Sequence, residues 1–150
     1  MIIDFGKKYE RKQKYSIDFV LNNLTRKNKK EKHVVFINNE KKEIGTHIKV
    51  MDGDLVKMDS ARYKVFKKSI VCAKCGLIGQ YFWKERFVNS ATDINSLGLY
   101  HFNLYGLLDG QEIQFTKDHI IPVSKGGKNT LSNFQTMCYI CNQNKGNKIN

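Results

Sequence analysis

The sequence contains no run of about eighteen apolar residues, so a membrane-spanning helix is not expected. Its first residues lack the pattern of a secretory leader: Met1-Ile2-Ile3-Asp4-Phe5 meets Lys7 and Lys8 with no apolar stretch behind them. A reducing, cytoplasmic setting is the expectation that follows. Internal repeats and low-complexity tracts are absent too, so neither a repeat architecture nor a biased tail is expected. Acidic residues are scarce: 14 Asp and Glu face 26 Lys and Arg, leaving a net charge of +12 and a pI near 9.6. Such a surface expects a polyanion, because each neutralised phosphate releases counterions. A generic soluble surface, or a compositional bias toward lysine, gives the same excess.

What is present is enough for one modest domain of 150 residues and too little for two independent cores. The 41% apolar and 11% aromatic residues argue for a folded body. Residues 1–32 carry ten Lys and Arg against four acids and read as a basic N-terminal arm. Within them Ser16 can cap a short helix whose Ile17, Val20, Leu21 and Leu24 share one face, more a packing stripe than a functional one. The run from Arg26 to Lys32 then either grips phosphates or is a solvated linker. Residues 33–58 read as a hairpin with its turn at 38–42, and Gly53 supports a further turn. Ser60 to Lys68 reads as a helix bearing Arg62, Lys64, Lys67 and Lys68. The segment between Asn89 and Gly98 reads as an exposed loop, and Asp109-Gly110 marks a second hairpin.

All four cysteines fall into two matched pairs, Cys72-Ala73-Lys74-Cys75 and Cys138-Tyr139-Ile140-Cys141. A C-x-x-C turn aims two thiolates at one tetrahedral ion, and two such turns close the shell. The 62 residues between the pairs exceed a simple zinc ribbon, so a subdomain is inserted there. Disulfides are disfavoured in a reducing compartment, a thioredoxin-like context is absent, and an iron cluster has no further support. A structural, coordinatively closed Zn²⁺ is the expectation.

After the Asp109-Gly110 turn come Thr116-Lys117-Asp118-His119-Ile120-Ile121-Pro122 and Val123-Ser124-Lys125-Gly126-Gly127. Asn129, Asn133, Phe134 and Gln135 follow, then the second cysteine pair with Asn142-Gln143-Asn144-Lys145-Gly146. This stretch resembles the HNH, or ββα-metal (His-Me finger), nuclease motif in its D-H…N…C-x-x-C-N form. The resemblance is continuous over 115–148 and reaches Cys72 and Cys75 through the zinc pairing. Two less specific phrases, at residues 66–69 and 101–106, are similar to phage-encoded members. The implied fold is α+β, a small ββα-metal core with a four-cysteine zinc knuckle pair, preceded by a β-hairpin/helix region and the arm. The expected division is therefore 1–32 and 33–150.

His119 is the motif's only histidine, and imidazole titrates near neutrality, which suits a general base; the resemblance gives it that role. The resemblance makes Asp118 a ligand of a divalent metal. Neighbouring strand residues point to opposite faces, so a bulge or twist must bring both to one site. Asn142 stands where many members carry the last histidine, and its amide oxygen can serve as the second ligand. An oxygen pair favours Mg²⁺ or Mn²⁺. Asn133 is implied as a backbone clamp that helps orient the base, and Lys145, on the helical face of Asn142, as a donor to the phosphate.

The implied activity is metal-dependent nicking or cutting of double-stranded DNA. Arg26, Lys27, Lys29, Lys30, Lys67, Lys68, Lys125, Lys128 and Lys148 are the expected DNA contacts. The rival reading is a catalytically inactive, zinc-stabilised DNA-binding module; the persistence of Asp118, His119 and Asn142 favours catalysis. A phage packaging or other DNA-processing protein, and a second copy of the chain in a homodimer, are the candidate protein partners.

Overall fold

The computed structural model describes residues 2–4, 8–26, 30–87, 98–146 and 148. The chain is a small α+β protein, mostly strands, that divides into two compact units. Unit 1 comprises Met1–Ser60 and Phe82–Asn103, and unit 2 comprises Ala61–Tyr81 and Leu104–Asn150. The expected split at residue 32 is not the one the contacts make. The Asn89–Gly98 loop falls almost wholly outside the described residues.

In unit 1, β1 (Ile2–Asp4) and β2 (Lys8–Tyr15) are antiparallel, and β2 pairs with β7 (Gly79–Phe87) from Tyr9 opposite Phe87 to Tyr15 opposite Phe82. Residues 8–15 are therefore a strand of a sheet, not part of a separate arm. Arg11 is buried and pairs with Glu85 at 2.8 Å. Ser16 caps α1 (Ile17–Leu21) by accepting from the Phe19 amide at 3.2 Å, and Val20 is fully buried, so the apolar stripe packs as expected.

The single hairpin expected over 33–58 is two. β3 (Lys32–Ile37) pairs with β4 (Glu40–Gly45), and β5 (Ile48–Met51) pairs with β6 (Asp54–Lys57). The first turn is only two residues long because Asn38 and Asn39 both take positive φ, 51° and 64°, the conformation a tight hairpin demands. Lys84, fully buried, donates to the Met51 carbonyl and pairs with Asp54, both at 2.8 Å. Val56, Met58, Phe82, Tyr100 and Phe102 form the apolar core of this unit.

In unit 2, α2 (Ala61–Lys68) buries Tyr63, Val65 and Phe66 and leaves Lys67 and Lys68 outside. β8 (His101–Leu108) turns through Asp109-Gly110 into β9 (Gln111–His119), with Leu108 opposite Gln111. β9 then pairs with β10 (Phe134–Cys138), which leads directly into α3 (Tyr139–Lys145). Leu104, Tyr105, Phe115, Phe134 and Met137 fill the core beneath these strands. Each such side chain contributes about 1.5–3 kcal/mol by leaving water.

Candidate active site and metal centre

The first cysteine knuckle follows α2. Cys72 accepts from the Gly76 amide at 3.1 Å through its carbonyl, and Gly76 takes φ +80°, which a side chain would strain. The Ala73 amide donates to the Thr136 carbonyl at 2.9 Å, and the Thr136 hydroxyl donates to the Ser69 carbonyl at 2.5 Å. These two bonds pin the first knuckle against β10, whose end carries Cys138, while Cys141 lies in the first turn of α3. The four sulfurs lie within 4.8 Å of one another, and Cys75 Sγ is 3.8 Å from Cys138 Sγ. Thiolates about 2.3 Å from a tetrahedral zinc stand about 3.8 Å apart, so the donors and spacing fit a closed zinc shell. None of the four is in a disulfide.

The thiols are poised unevenly. Burial pushes the Cys72 thiol up, but amide donors from Cys138, Cys75 and Lys74 outweigh it and bring the group down to about 6. Burial raises Cys138, with hydrogen bonds from Cys141 opposing it and the Cys72 sulfur adding to it, and burial raises Cys141, which the sulfurs of Cys138, Cys75 and Cys72 push further. Metal binding reverses that crowding, since a cation at the centre favours all four thiolates.

On β9 and α3, Asp118, His119, Asn142 and Lys145 line one cavity of about 340 Å³, closed on the loop side by Pro122 and Val123. Both members of the Asp-His pair thus line the same cavity. Asp118 is buried, 7% exposed. Its Oδ2 accepts from Gln135 Nε2 at 2.9 Å and from Lys145 Nζ at 2.7 Å. The β9–β10 register explains the first bond, because it sets Gln135 directly opposite Asp118. Lys145 also donates to the His119 carbonyl.

His119 Nε2 is 2.6 Å from Asn129 Oδ1. An amide oxygen only accepts, so Nε2 carries the proton, and in the neutral ring Nδ1 keeps its lone pair. The ring packs edge-on against Phe134, its register partner, at 4.9 Å. Asn142 donates from Nδ2 to the Thr116 hydroxyl at 3.0 Å, and that hydroxyl donates to the Met137 carbonyl at 2.8 Å, while the Asn142 amide oxygen has no partner among the described residues. Each of the three groups thus has one polar atom anchored by the protein and one with an unshared pair.

Asn133 sits at the mouth of β10. Its Oδ1 accepts from the Ile121 amide at 2.9 Å, and its Nδ2 donates to the carbonyls of Ile121 and Lys128 at 3.0 and 2.9 Å. These bonds tie together the β9–β10 loop, while the side chain on the His119 ring is Asn129. Gly127 has a packing reason: a Cβ there would run into the Ile121 carbonyl, so the close approach is to the loop itself. Lys145, expected to face a phosphate, is instead buried on Asp118.

Of the expected DNA contacts, Arg26, Lys30, Lys67, Lys68, Lys125, Lys128 and Lys148 are exposed, whereas Lys27 and Lys29 lie outside the described residues. Asn129, Gln135 and Thr116 are the partners that sequence reasoning missed. All three stand inside the motif, but only the strand register and loop geometry reveal what they touch.

A β-strand, a clamped loop, a second strand and a helix thus set an Asp-His pair and an asparagine around one cavity. Residues 109–150 match the family model of the HNH endonucleases. No curated protein and no solved structure matches the chain. Among the described residues no helix is long and apolar enough to cross a membrane.

Proposed function

We propose that the chain is a metal-dependent endonuclease that nicks or cuts double-stranded DNA, built on a ββα-metal core of β9, β10 and α3 with a structural zinc beneath it. The observation that carries this reading is the trio of half-anchored groups in one cavity: Asp118 Oδ1, His119 Nδ1 and the Asn142 amide oxygen. The donor set fits a hard divalent cation, because a carboxylate oxygen and an amide oxygen are what Mg²⁺ and Mn²⁺ accept. Asp118 and Asn142 hold that ion in this reading, and its chemistry when bound is charge stabilisation on the scissile phosphate and the leaving oxygen.

His119 takes the proton from a water through Nδ1, and Asn129 keeps the opposite nitrogen protonated so that this lone pair is available. The water oxygen bonds to phosphorus as the bond from phosphorus to the bridging oxygen breaks, and that oxygen leaves with a proton from solvent. Asn133 holds the loop that carries Asn129, which keeps the base in place between turnovers. Unit 2 contains ten Lys and Arg against three acids, one of them the buried Asp118, and this supports a polyanionic substrate. One site cuts one strand, so a double-strand break requires two copies or two successive nicks. Supercoiled plasmid incubated with Mg²⁺ or Mn²⁺ is expected to become nicked, and EDTA to stop it. If the plasmid stays intact under both metals while the chain still retards it in a gel, the binding-module reading replaces this one.

A further inference from the structure

We propose that Lys145 is a positioning residue for Asp118 rather than a donor to the phosphate, and that with Gln135 it confines a divalent cation to the single oxygen Oδ1. This rests on the reading of Asp118 as a metal ligand. The Lys145 side chain is only 5% exposed, and its ammonium serves Asp118 Oδ2 and the His119 carbonyl. Gln135 adds a second donor to that same oxygen. Two donors on one carboxylate oxygen and none from the described residues on the other is an unusual way to satisfy a buried acid. In unit 1 the buried Glu85 and the partly exposed Glu10 do it differently. Glu85 takes Arg11 on one oxygen and Asn103 on the other, and Glu10 takes Arg86 on one and Tyr100 on the other.

Two consequences follow. With the lone pairs of Oδ2 engaged, Asp118 offers a cation one oxygen and cannot chelate it through both. The ammonium beside that carboxylate also offsets its charge, so the protein alone attracts a divalent ion weakly, and the substrate phosphate supplies the missing negative charge. Lys145 thereby ties tight metal binding to the presence of DNA.

The test is Mn²⁺ binding to the zinc-loaded full chain without DNA, followed by electron paramagnetic resonance. Lys145→Met is expected to tighten Mn²⁺ binding about tenfold, the scale on which one charge acts on a nearby divalent ion. Lys145→Gln, which keeps a donor but no charge, should move it the same way if the methionine variant folds poorly, and Lys145→Arg should stay near wild type. Plasmid nicking by the neutral variants is expected to fall in kcat more than to rise in KM. Unchanged or weaker Mn²⁺ binding in both neutral variants overturns the proposal. Asp118→Asn separates the two levels: if it binds Mn²⁺ as wild type does, the metal-ligand reading itself is wrong.

Discussion

Glu85 in unit 1 and Asp118 in unit 2 are both buried carboxylates, each held by one cation and one side-chain amide. They differ in where those partners land. Glu85 has a partner on each oxygen, so it is complete within the protein. Asp118 has both partners on one oxygen and keeps the other open toward a cavity shared with His119 and Asn142. The partly exposed Glu10 likewise has a partner on each oxygen, and the buried Lys84 donates to the Met51 carbonyl and pairs with Asp54. A buried charge that holds a fold together is best satisfied completely, because any remainder costs stability. A buried charge kept for chemistry must be fixed and yet left partly unsatisfied. The geometry of the partners, more than burial or charge, separates the two uses.

The largest expected effect that probes this contrast is on stability. Glu85→Gln removes the carboxylate that pairs with the buried Arg11, and urea denaturation should show a loss of about 3–5 kcal/mol. Asp118→Asn, at a cavity wall where water can reach the remaining ammonium, is expected to lose less than half as much. Equal losses would break the comparison.

The smallest expected effect concerns pH. Burial alone raises the Glu10 carboxyl, but its hydrogen bond and ion pair with Arg86, with help from Tyr100 and Lys12, bring it below the usual 4.5. A folded-state value below the unfolded one means that the stabilisation is fully present at neutral pH. It fades as pH falls below about 4.5, toward the lower folded value. Glu10→Gln should therefore cost about 1 kcal/mol at pH 7, typical of a partly exposed pair, and progressively less as pH falls below about 4.5. Melting temperatures of the two proteins across that range check it, and a constant offset at every pH contradicts the pairing.

The placement of the motif residues was more legible than the scaffold. Paired C-x-x-C spacing announces a four-sulfur cluster wherever the chain brings the pairs together, and Asp118, His119 and Asn142, singled out from the sequence, line one cavity. The N-terminal strand was not legible, because Lys8-Tyr9-Glu10-Arg11-Lys12-Gln13-Lys14-Tyr15 has no apolar alternation. Its inward residue is Arg11, made tolerable by Glu85, 74 positions away, which no local pattern can announce. The tight Asn38-Asn39 turn was hidden by the polar residues that follow it, since Glu40, Lys41 and Lys42 are a strand exposed to solvent. Lys145 was placed on the correct helical face but given the wrong partner, because helical spacing cannot say which oxygen an ammonium will meet.

In the proposed function His119 has a chemical rather than a structural use, with Nε2 tied to Asn129 and no partner on Nδ1 among the described residues. The most direct measurement is the single-turnover plasmid-nicking rate of His119→Ala in Mg²⁺, taken beside its melting temperature and zinc content. The prediction is a rate at least about a hundredfold below wild type, the scale of a lost general base, with melting and zinc content unchanged. A rate within threefold of wild type, on a protein that is equally stable and equally zinc-loaded, would contradict it.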